Sequence, residues 1–258
     1  MNQQPQGLSG PDDGSVLASL SQLCDLLTYS GDDTLLAAGL HGAGPQQQQQ
    51  HIAELTALLA SPDPRVQLMA ARVLTQAFEQ VPSAGAAAVA AGAAEALVGK
   101  LLCIEYVDVA EQAVAALERL ARLQPSALLP CGAMGALLCF LDFFPVAVQR
   151  TALRAVASVA AGPLLPAAPS PTAGGVRSSS SGGGGGGASS SGGLAVPVAD
   201  FEAAFLDASP ALTQLVAHGG DGSLVELAAL ALLRVVQCFV EAAGAFHMRS
   251  HALWVDVL

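Results

Sequence analysis

The sequence predicts an all-α solenoid, a row of similar helical units stacked side by side. Three observations predict it. Of 258 residues, 52% are hydrophobic but only 4% aromatic, and Ala and Leu supply most of that apolar content. These residues favour helix, and strand formers are too sparse for a β-sandwich or barrel. Apolar side chains recur at the 3.6-residue spacing of an amphipathic helix, and that pattern itself returns about every 40 residues.

The first helix is signalled by Val16, with Leu20, Leu23 and Leu27 on one face. Gly42–Gln50 follows, a Gly-Ala-Gly-Pro stretch and five Gln, expected as a loop. A short apolar helix over Ile52–Ala60 and the turn Ser61-Pro62-Asp63-Pro64 lead to a longer helix. Its stripe is Val66, Ala70, Val73, Leu74 and Ala77. The next unit has Ala93–Leu102, a turn through Glu105–Asp108, and the stripe Val109, Ala113, Ala116, Leu117 and Leu120. A third has Ala133–Leu141, a turn through Asp142–Pro145, and Val148, Ala152, Ala155, Val156 and Val159. Gly92 and Gly132 each precede an Ala where a sharp turn opens the shorter helix.

Pro163–Pro197, rich in Pro, Ser and Gly, reads as a low-complexity loop. Beyond it come Ala211–Ala217, a turn at Gly219–Gly222, and the stripe Val225, Ala229, Leu232, Leu233 and Val236. The stripe origins Val66, Val109 and Val148 are 43 and 39 residues apart. The two longer steps, from Val16 and to Val225, reduce to the same period once the two loops are removed. This predicts an armadillo-type (ARM/HEAT-like) right-handed superhelical solenoid of about four to five repeats, Gly-Ala before a helix being more an armadillo than a HEAT habit. The expected organisation is a tail over 1–14, repeats over 15–162, the loop over 163–197, and a further repeat with a truncated helix over 198–258.

Composition narrows the function. Ten basic against 21 acidic residues leave a net charge of −11, a poor match to phosphate backbones, so no nucleic-acid partner is expected. The start of the chain lacks a signal-peptide pattern, and prolines interrupt the longest apolar stretch, so no membrane partner is expected either. Five widely spaced cysteines with no C-x-x-C read as buried free thiols of a reducing compartment, the cytoplasm and/or nucleus.

The reactive motifs fail on inspection. His247 and His251 share a helix face, but Met248 stands where a zincin has Glu, and no ligand cluster completes a site. Gly182–Gly187 matches a dinucleotide fingerprint only because every position is Gly, and its flanks are Ser/Gly tracts. Gly99-Lys100 precedes Leu101 inside a helix, which excludes a P-loop. Cys103, Cys131 and Cys139 lie in apolar runs without a base and read as core. No catalytic residue, metal ligand or cofactor is therefore expected. What remains is binding on the polar face of the long helices. The candidates are Gln67 and Arg72; Glu111, Gln112 and Glu118; Gln149, Arg150 and Arg154; and Glu226 and Arg234. A groove that reads basic peptides through Trp/Asn ladders is disfavoured, since Trp254 is the sole Trp.

The strings Lys100–Gln112 (KLLCIEYVDVAEQ), Leu141–Phe144 (LDFF) and Val148–Leu153 (VQRTAL) resemble the N-terminal armadillo region of HECT-type ubiquitin-protein ligases, the plant KAKTUS and ubiquitin-fusion-degradation branch. Leu20–Leu27 and Ala70–Thr75 match as well. The resemblance implies recruitment of protein substrates or degrons by a segment of a much longer ligase. Contact with the ubiquitin-conjugating machinery would run through a HECT domain this chain lacks. No cysteine here fits the family's catalytic motif, so the resemblance implies a chain inactive alone. A free-standing armadillo adaptor is the alternative.

Overall fold

A computed structural model describes residues 13–28, 45–162 and 198–255, with side chains in the last stretch from 206 to 240 apart from 207 and 239. Among the described residues the chain is helical and contains no strand. The helices are α1 (Asp13–Thr28), α2 (Pro45–Leu58), α3 (Pro64–Gln80), α4 (Ala84–Ala90), α5 (Ala93–Leu102) and α6 (Val107–Leu123). Then follow α7 (Pro125–Leu128), α8 (Ala133–Cys139), α9 (Val146–Ala161), α10 (Val198–His218) and α11 (Gly222–Val255).

They form two layers. In the inner layer the long helices α1, α3, α6, α9 and α11 pack each against the next. In the outer layer α2, α5, α8 and α10 follow the same order, each behind its long partner. The complete units α4–α5–α6 and α7–α8–α9 have three helices each, the armadillo arrangement. The repeat is set by local chemistry. Gly92 and Gly132 have φ of 77° and 71° and stand at the N-termini of α5 and α8. That left-handed turn costs a residue with a Cβ about 1–2 kcal/mol, so the Gly-Ala reading holds. Asp63 caps α3 by accepting from the Arg65 amide, with Pro64 in the first turn where its missing N–H costs nothing.

The core runs between the layers along the row. The predicted stripes of α3 and α6 are buried throughout, as is that of α9 from Ala152 to Val159. Each buried Leu or Val there contributes roughly 1.5–3 kcal/mol. Small residues at equivalent places in the stripes of α3, α6 and α9 (Ala70, Ala113, Ala152) are fully buried.

Four readings need correction. On α11 the buried stripe is Leu224, Ala228, Ala231, Val235 and Cys238, one residue before the expected register, while Leu233 and Val236 are 53% and 42% exposed. Both faces of this helix are apolar, so periodicity alone could not choose between them. The five Gln of the expected first loop lie in α2, which starts at Pro45; Gln is an adequate helix former, and Gln48 is buried and donates to the Ser83 hydroxyl. The last outer helix starts at Val198 and carries Pro210 inside it, well before the expected Ala211. Among the cysteines only Cys238 is buried; Cys103 and Cys139 are exposed because each sits where an outer helix ends and the chain turns towards solvent. The 163–197 loop and residues 1–12 of the expected tail lie outside the described residues.

No single described helix is long and apolar enough to cross a membrane. The helices Ala84–Ala90 and Ala93–Leu102 reach that length only together, and they are bent by 72° at the break.

Candidate binding face of the long helices

The ten candidate residues all lie on the long helices α3, α6, α9 and α11. Gln67 and Gln149 stand one position after equivalent stripe origins and act alike. Their amides donate to backbone carbonyls of the preceding turn, Ser61 at 2.6 Å and Phe144 at 2.8 Å, and so fix the entry of α3 and α9. Gln67 is buried by this role.

Four others tie neighbouring units together. Gln112 of α6 donates to the Thr75 hydroxyl of α3 at 2.9 Å. Glu118 of α6 is the centre of a charge network: its side chain is 4% exposed, it accepts from Arg122, and Arg119 and Arg154 approach to 3.7 and 3.9 Å. Arg119 also reaches Glu79 of α3 at 3.4 Å. Arg150 of α9 donates to Asp221 at 3.0 Å and to the Ser223 hydroxyl at 2.7 Å. Asp221 meanwhile caps α11 through the Ser223 and Leu224 amides. Hydrogen bonds from Ser223, side chain first, and then the Arg150 charge hold the Asp221 carboxyl below its ordinary range.

Arg72, Glu226 and Arg234 are exposed and make no ion pair among the described residues, and Glu111 is half-buried. The candidates therefore share one layer of helices but differ in burial and in role. Some hold the row of helices together, and others stand clear of it.

The sequence reading missed a second feature. The turns into α6 and α9 expose Leu102, Tyr106 and Val107, and then Phe140, Phe143 and Val146. Phe143 stands edge-on to buried Phe144, with ring centroids 5.6 Å apart. These turns flank one end of the long helices in successive units. The available signal was Tyr and Phe among turn residues, outside any helical stripe.

Little here suits covalent chemistry. Among the described residues there is no cluster of three or more His, Cys, Asp or Glu able to hold a metal. His247 and His251 lie on α11, where side chains are outside those described. Burial pushes the Cys131 thiol up, against the thiolate a nucleophile needs, and its Sγ donates to the Leu128 carbonyl. A shallow hollow of about 470 Å³ on α10 lies in the outer layer and is lined by one helix around Pro210.

Comparison with known proteins fits this picture. Residues 7–130 match the family described as E3 ubiquitin-protein ligase TRIP12-like, TPR repeats. The chain is 38% identical over 149 residues to the E3 ubiquitin-protein ligase UPL3 of Arabidopsis thaliana, covering 57% of this chain and 8% of UPL3. It is 33% identical over 153 residues to UPL4 of the same plant, 59% of this chain and 10% of UPL4. With TRIP12 of Danio rerio the identity is 32% over 154 residues, 59% of this chain and 7% of TRIP12. The match thus spans a tenth or less of each relative's length. The resemblance to the N-terminal repeat region of HECT-type ubiquitin ligases holds.

The solved structures bear on the fold alone. An engineered protein superimposes with a TM-score of 0.62 at 24% identity, over 88% of this chain and 46% of that one. A designed armadillo repeat protein gives 0.54 at 19%, over 89% and 97%. Another, solved in complex with the peptide (KR)4, gives 0.50 at 20%, over 89% and 97%. The family description speaks of TPR repeats, but TPR units have two helices and about 34 residues. The three-helix units here are armadillo-like.

Proposed function

We propose that the chain is a substrate-recruiting armadillo segment of a HECT-type ubiquitin ligase, and that it holds protein clients on the inner face of its long helices. The observation that carries this is the division of labour on that face. Glu118 through Arg154, Gln112 through Thr75 and Arg150 through Asp221 tie neighbouring units into a row. Arg72 and Arg234 make no ion pair among the described residues and stand exposed on that surface, whose preorganisation lowers the entropy lost on docking. The designed armadillo protein solved in complex with the peptide (KR)4 supports the idea that this fold seats a peptide. Ubiquitin transfer itself would belong to another part of a longer protein.

A photo-crosslinking amino acid placed at Ala115, in the middle of the inner face, tests the reading against the same group placed at Glu95 on the outer layer. Clients that gain ubiquitin in cells should be captured from Ala115 and not from Glu95. Equal capture at both positions would contradict recruitment by the inner face.

A further inference from the structure

The geometry points to an acidic, extended peptide segment as the ligand of the inner face. This deepens the recruitment reading and rests on it. Charge is segregated in this molecule. The whole chain carries −11, yet seven of the eight basic side chains described lie on the long helices, and only Lys100 lies on an outer one. The three central long helices carry six arginines (Arg65, Arg72, Arg119, Arg122, Arg150, Arg154) and four carboxylates (Glu79, Asp108, Glu111, Glu118), and Asp63 and Asp221 in flanking turns pair with Arg65 and Arg150.

Those carboxylates leave Arg72 without an ion pair among the described residues and leave two other guanidiniums half open. Glu118 is nearly inaccessible and is shared by three guanidiniums, while Arg122 and Arg154 keep 51% and 49% of their side-chain surface open. Each therefore has donors left for a second carboxylate, and Arg favours that bidentate geometry. Arg72 of α3 and Arg154 of α9 stand at the same register, six residues after their stripe origins. The residue at that register on α6 is Ala115, which is half-buried and offers no side-chain charge between the two exposed arginines.

Adjacent helix axes lie about 8–10 Å apart, so Arg72 and Arg154 are separated by roughly two such steps. An extended chain covers that distance in about five or six residues at ~3.3 Å each. A nucleic acid would bring a dense line of phosphates towards a strongly negative molecule, whereas a short acidic segment adds few charges and can rest side chains on Tyr106 and Phe143 at the margin. The peptide in the armadillo complex described above is basic, (KR)4, and the charge read from this face is the opposite.

The test uses the whole chain and three fluorescein-labelled probes in anisotropy titrations: an octapeptide of alternating Glu and Asp, (KR)4, and a short oligo-dT. The acidic octapeptide should bind more tightly than either other probe and weaken as salt rises. Arg72→Gln and Arg154→Gln should each weaken it about three- to five-fold, with Lys100→Gln unchanged and thermal melts confirming the fold of every variant. Tighter binding of (KR)4 or oligo-dT, or indifference to both arginine variants, would overturn the proposal. If clients still crosslink at Ala115 while the acidic octapeptide neither binds nor competes, this proposal falls and recruitment stands. If the Ala115 crosslinks also vanish, recruitment falls with it.

Discussion

Helix α6 and helix α11 occupy the same place in units two apart, with α9 between them, yet only α6 is covered on both sides. On α6 the buried set spreads over most of the helix and takes in Ala110, Val114 and Ala121 beside the central stripe, because α3 and α9 both press on it. At the corresponding positions α11 has Val225, Ala229 and Val236, and these are half-buried or exposed. Apolar residues therefore line two faces of α11, one packed on α9 and α10 and one open to solvent. In a row of repeats, burial is decided by neighbours as much as by the helix's own pattern.

The largest expected contrast sharpens that comparison. Leu120→Ala on α6 removes a side chain with 0% exposure and should cost about 2–5 kcal/mol in denaturant titrations. Leu233→Ala on α11, 53% exposed, should change stability by less than about 0.5 kcal/mol. Comparable losses would mean that α11 is covered.

The charged centres should differ in the same sense. Glu118→Ala leaves three arginines without their shared partner and should cost roughly 1–3 kcal/mol, whereas Glu226→Ala, on the exposed face of α11, should be neutral by thermal melt. Gly92→Ala and Gly132→Ala should each cost about 1 kcal/mol, because each forces a Cβ into a positive φ. Asp63 and Asp221 are helix caps whose carboxyls are held below the ordinary value of 3.8, chiefly by side-chain hydrogen bonds from Arg65 and Ser223 respectively. The unfolded chain binds protons more readily at both, so their stabilisation is complete above that value and drains away as pH falls through the folded values. Asp63→Asn and Asp221→Asn should lower the neutral plateau of a stability–pH profile and flatten its acid side, so that variant and parent converge as pH falls.

The period, the Gly turns and three buried stripes were legible in the sequence because each is local. A 3.6-residue pattern, a Gly-Ala pair and a Pro-Asp-Pro cap act over a few residues. The α11 register was not legible, since Leu224–Val235 and Val225–Val236 score alike until a neighbour picks one. Within the candidate site, the face could be read but the division of labour could not. Glu118 looks like any exposed helix acid in sequence, and its burial depends on Arg154, 36 residues later. Arg150 depends on Asp221, 71 residues on, across the intervening Pro/Ser/Gly stretch. The apolar turns at Tyr106 and Phe143 carry no helical period, so spacing alone does not mark them.

The side-by-side stacking of long helices can be tested most directly by thiol labelling of four single substitutions under native conditions, read by peptide mass. On α6, Leu120→Cys and Ala121→Cys should both be protected, since neighbours cover both positions. On α11, Val235→Cys should be protected and Val236→Cys should label nearly as fast as an unfolded thiol. Rapid labelling at Ala121→Cys, or protection at Val236→Cys with labelling at Val235→Cys, would contradict the packing described.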